Sequence, residues 1–111
     1  MPLFAQTIDL VDDPALIAQY EAHHRAVWPE TLAALRRIGI TGMTIWRTGT
    51  RLFMVFEAPA SFNPATDFQS YAADPKAAEW DALMRRYQHP IPNAHPSDWW
   101  TAMTPIFHLQ S

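Results

Sequence analysis

Apolar and polar positions alternate with period two in FAQTIDL (4–10): Phe4, Gln6, Ile8 and Leu10 face one way, and Ala5, Thr7 and Asp9 the other. The alternation predicts a first strand. VDDP then opens a helix, with Asp13 as N-cap and Pro14 at the first helical position. Apolar residues recur at helical spacing through Leu16, Ile17, Tyr20, His24, Val27, Trp28, Leu32, Leu35 and Ile38. Pro29 interrupts that pattern, so a kink or short break is expected near Val27–Trp28. Gly39 ends the second segment as a C-cap.

The period returns to two in MTIWR and RLFMVFE, and Thr48-Gly49-Thr50 joins them as a hairpin. Residues 62–73 are weakly helical. Asp74-Pro75 starts a stronger helix running to about Tyr87. Pro90, Pro92 and Pro96 exclude regular structure from 88–100. TAMTPIFHLQ (101–110) reads as a last strand, placed at an edge or bulged by Pro105. The order β-α-β-β-α-β predicts an α+β, ferredoxin-like fold: a four-stranded antiparallel sheet with helices on one face. The open sheet face then needs cover, which a second copy would supply as a dimeric α+β barrel.

At 111 residues the chain is expected to be a single domain, 1–111. Half of it is apolar (49%), enough for a core. The net charge of −3 and the absence of long basic runs give no footprint for nucleic acid or an anionic membrane. The absence of cysteine excludes disulfides, thiolate catalysis and cysteine-ligated metals. Three glycines, none clustered, leave no P-loop or Rossmann turn. The first residues lack the basic and apolar regions of a signal peptide, and no segment is long and apolar enough to span a bilayer. A cytoplasmic protein is expected.

The chemistry concentrates in YEAHHRAVWPE (20–30). Residues four apart on a helix share a stripe, so Tyr20, His24 and Trp28 align and His23 points outward. The same stripe would serve an ordinary core. It would equally serve a sugar: histidine trades protons near neutrality, tyrosine bonds a hydroxyl, and tryptophan covers the C–H face of a ring. His89, His95 and His108 form no metal motif, so no metal is expected. Trp99-Trp100 either packs its loop down or closes the sugar pocket, and the second is the expectation.

Y-x-x-x-H-x-x-x-W-P-E after a short first strand resembles the L-rhamnose mutarotase family. The resemblance continues through GITGMTIW, RLFMVFE, DPKAAEWDALM and PIFHLQ, over most of the chain. It implies a cofactor-free homodimer that interconverts the α and β anomers of a 6-deoxy-hexopyranose. By position it makes His24 the proton donor to the ring oxygen, Tyr20 a sugar ligand, and Trp80 the first of a tryptophan pair lining the pocket. The chain departs from the family twice. Asp81 stands where the second tryptophan would be, and Met43 where the second strand would begin with a substrate-binding tyrosine. A polar contact moved in this way suggests L-fucose ahead of L-rhamnose, with Trp46 supplying the missing plate. Asp81, Glu30 or a water would act as the complementary base. The alternative activity on this fold is a cofactor-free or haem-linked monooxygenase.

Overall fold

The computed structural model describes residues 2–109. Its strands are β1 (Leu3–Leu10), β2 (Gly42–Thr48), β3 (Arg51–Glu57), β4 (Gln88–His89) and β5 (Thr101–Met103). Its helices are α1 (Pro14–His24), α2 (Pro29–Arg37), α3 (Pro64–Tyr71) and α4 (Pro75–Arg85). The sheet is antiparallel and ordered β2-β3-β1-β4, and β5 also pairs with β1. This is the ferredoxin-like arrangement that the alternation of elements predicts. One detail differs. The last strand splits into β4 and β5, which take successive stretches of β1: Leu10 faces Gln88, and Ala5 faces Met103. The proline-rich loop bulges out between them, because proline has no N–H to give to a ladder. Regular pairing ends at Met103, and the rest of the expected strand continues without pairing; its final residue, Gln110, lies outside the described residues.

Among the described residues every helix begins with proline at its first position, where the missing N–H goes unused anyway. Asp13 caps α1 by accepting from the Ala15 and Leu16 N–H groups, and Asp74 caps α4 the same way on Lys76 and Ala77. The long helical pattern breaks over 25–28. Pro29 cannot donate to the Arg25 carbonyl and its ring would crowd it, so α1 stops at His24 and Trp28 turns extended. At the far end of α2, Gly39 has φ 103°. The Gly39 N–H meets the Arg36 carbonyl and the Ile40 N–H reaches back to Leu35, which is a Schellman closure.

The β2–β3 hairpin closes on Gly49-Thr50, with positive φ at Gly49 alone, the type II′ pattern. Phe4, Ile8 and Leu10 of β1 and Leu52, Met54 and Phe56 of β3 point to the helices. They form two apolar clusters. The first gathers Ile8, Leu10, Leu52, Tyr20, Trp80, Met84 and Tyr87; the second gathers Met54, Phe56, Ile40, Ala58 and Phe62. The opposite sheet face carries exposed Leu3 and Trp46 and half-buried Phe53 and Val55.

Candidate active site

The end of α1 leans over the edge strand β2. Between them lies a cavity of about 310 Å³, at the small end of the roughly 300–1,000 Å³ range of ligand sites. Tyr20 and His24 line it from the helix, and Trp46 lines it from the strand. Ile45 and Leu52 supply apolar surface. Glu21, Arg25 and Arg47 supply charge, with the Arg47 guanidinium 3.3 Å from the Glu21 carboxylate. Trp46 is half exposed and stacks on Phe53 with ring centroids 5.7 Å apart. That stacking keeps the indole on the sheet face opposite α1, so Trp46 meets the cavity at the edge of β2 and not as a plate beside His24.

His24 is held firmly. Its Nδ1 lies 2.9 Å from the Tyr20 carbonyl, one turn back. A carbonyl only accepts, so Nδ1 carries the hydrogen and Nε2 is the nitrogen left to exchange a proton. The Tyr20 ring lies 4.5 Å away, and Trp80 meets His24 edge-on at 5.5 Å. Burial is the main influence on its charge and lowers its pKa below 6.5; the Tyr20 carbonyl opposes this, and nearby His23 adds to it. The imidazole is therefore neutral at pH 7. Tyr20 is buried, which pushes its phenol up to about 12 against a small opposing effect from Gln88, so it stays protonated.

The residues singled out in the sequence do not all converge. Tyr20, His24 and Trp46 line one cavity. Trp80 braces His24 and is itself met edge to face by Trp28 at 5.3 Å, and neither tryptophan lines that cavity. Met43 packs against the second cluster. The Asp81 carboxylate accepts from Arg85 at 2.9 Å on the outer side of α4. Glu30 sits exposed in the first turn of α2. His23 is not on the outside. Tyr87, where α4 ends, folds against the flank of α1, and His23 Nε2 lies 3.2 Å from its hydroxyl. Trp99 and Trp100 pack their loop down rather than closing the cavity. The Trp99 Nε1–H donates to Gln88 at 2.9 Å, and Trp100 touches both apolar clusters. His89 and His95 bond within their own segments.

Little in the sequence marks out Glu21, Arg25 and Arg47 as cavity residues. Charged residues on an open helix face and on an edge strand carry no periodic signal that the two elements meet. Glu21, three positions before His24, was the one available clue.

A neutral imidazole with one nitrogen free to pick up and return a proton suits proton-transfer chemistry. The sequence profile described as L-rhamnose mutarotase matches residues 3–109, and the chain belongs to that family of isomerase-class enzymes. A protein of Dictyostelium discoideum is 46% identical over 110 residues, covering 96% of this chain and 88% of the relative. The L-fucose mutarotase of Xanthomonas campestris pv. campestris is 40% identical over 111 residues, covering 98% and 89%. Among solved structures, an L-rhamnose mutarotase of Formosa agariphila superposes with a TM-score of 0.72 at 16% identity, over 99% of this chain and all of that one. At that identity the superposition speaks for the fold. The two relatives whose activity is named are both mutarotases, and neither supports an oxygenase.

Proposed function

We propose that the protein is a mutarotase for 6-deoxy-L-hexopyranoses with L-fucose as its preferred substrate, and that His24 is its catalytic residue. The observation that carries the proposal is the single free nitrogen of His24, a residue that lines the cavity together with Tyr20 and Glu21. Neutral His24 takes the proton of the anomeric hydroxyl on Nε2. The freed oxygen pair becomes the carbonyl bond, and the ring C–O bonding pair stays on the ring oxygen. The proton held on Nε2 is then delivered to that oxygen. Rotation of the aldehyde and the reverse steps give the other anomer. One positioned acid/base group is worth about 10²–10⁴ in rate, enough for a reaction that water already performs.

Tyr20 binds the sugar, Trp80 holds the imidazole in place, and Trp28 backs Trp80. Glu21, steadied by Arg47, is the carboxylate within the cavity and is better placed than Asp81 or Glu30 to bind ring hydroxyls. Support for L-fucose comes from the Xanthomonas relative; Met43 and Asp81 lie away from the cavity and add nothing to it. The working form is a homodimer closed over the open sheet face, and the cysteine-free composition suits the cytoplasm.

Exchange NMR of anomeric protons tests the proposal. L-Fucose should give a kcat/KM about tenfold or more above L-rhamnose, a difference of roughly 1.4 kcal/mol. Equal or reversed values would remove the fucose preference. No acceleration of either sugar would remove the mutarotase function.

A further inference from the structure

We infer that Gln88 and Trp99 are positioning residues that lock the Tyr20 hydroxyl as a hydrogen-bond donor toward the sugar. The inference rests on the mutarotase function proposed above, with Tyr20 as a sugar ligand.

It follows from which atoms can donate. The indole Nε1–H of Trp99 has no acceptor capacity. The atom it meets at 2.9 Å must therefore be the Gln88 carbonyl oxygen, which fixes an amide orientation otherwise open to a flip. The Gln88 NH₂ group is thereby turned to Tyr20, 2.9 Å from its hydroxyl. An amide NH₂ only donates, so the Tyr20 oxygen must accept. Its own hydrogen cannot point at Gln88, and among the described residues it has no other acceptor. Tyr20 is one of the residues lining the cavity beside His24, and a sugar oxygen bound there would complete the bonding of this hydrogen. Donation thus runs one way, from Trp99 to Gln88 to Tyr20 to a sugar oxygen.

The relay is built rather than incidental. Gln88 and Tyr20 are 6% and 4% exposed, so water does not compete for these bonds. Gln88 is fixed by its pairing with Leu10 in β4. The Arg85 guanidinium lies 4.8 Å over the Trp99 ring and holds it in place. The proline-rich loop, which carries no lining residue of the cavity, acquires a role through this chain. It sets the polarity of a group that touches the substrate.

Gln88→Glu tests the inference, because it keeps the shape and reverses the polarity. A carboxylate accepts from both Trp99 and Tyr20, so the tyrosine hydrogen turns away from the sugar. KM should rise about tenfold with a smaller change in kcat, the size of one lost hydrogen bond. In parallel, the Raman Fermi doublet of Tyr20, isolated by difference against Tyr20→Phe, should move toward the donor signature. If Gln88→Glu only lowers Tm, with KM and the doublet as in wild type, the inference is overturned. Should that variant fail to fold, Trp99→Phe decides. It keeps the ring and frees the amide to flip, so KM should rise about threefold; an unchanged KM overturns the inference. A wild type that accelerates neither sugar refutes the mutarotase function instead, and the Raman doublet then judges the relay alone.

Discussion

Three influences meet at His24. Burial and the neighbouring His23 disfavour its charge, and the Tyr20 carbonyl favours it; burial is the largest, so the folded pKa lies below the ordinary 6.5. The unfolded chain then binds this proton more readily than the folded one, and stability is lost as pH falls through 6.5. The catalytic consequence has the same sign. In the proposed mechanism the neutral form starts the reaction, so kcat/KM should rise with pH to an inflection below 6.5 and stay flat through neutrality. A pH–rate profile that falls between 6 and 8 would mean that the imidazolium is the working form. His24 and Tyr20 were legible in the sequence because helical spacing puts them on one stripe. The half-burial of His23 was not, since it depends on Tyr87 arriving from a residue 64 positions away.

The elements follow closely from local chemistry. Four prolines at helix starts, aspartates at two caps and one positive-φ glycine at the hairpin place most boundaries. Gly39 is the most demanding of these positions. Its φ of 103° strains any L side chain, and an added Cβ would lie 3.2 Å from the Pro59 ring. Gly39→Ala should cost about 1–3 kcal/mol, read as a lower Tm or urea midpoint. A loss below a few tenths would show that α2 can close another way. The split of the last strand was less legible: Pro105 warned of an edge, but the chain regains β1 only after the loop, at Thr101. The placement of Met43 also escaped the sequence. Periodicity gives a strand residue its face but not which of two clusters along that face it joins.

For the molecule as a whole, the unfinished surface matters most. Helices cover one sheet face, while Leu3, Trp46 and Met103 stand 63%, 53% and 43% exposed, and Ile106, Phe107 and Leu109 at the C-terminal end stand 97%, 79% and 80% exposed. Apolar side chains of this size gain about 1.5–3 kcal/mol each when fully buried. A second copy is the cover we propose. Phe107→Asp should shift the protein toward monomer in light scattering and lower its Tm. A wild type that is monomeric at micromolar concentration would leave this surface to another partner.

The proposed catalysis rests on one nitrogen of one histidine, and anomeric exchange of L-fucose by wild type and His24→Ala tests it most directly. Substitution should leave the fold intact, judged by circular dichroism, and lower kcat about 10²–10⁴-fold. Exchange catalysed by His24→Ala at the wild-type rate would contradict the account, and Tyr20 and His24 would then be only the core stripe of a helix.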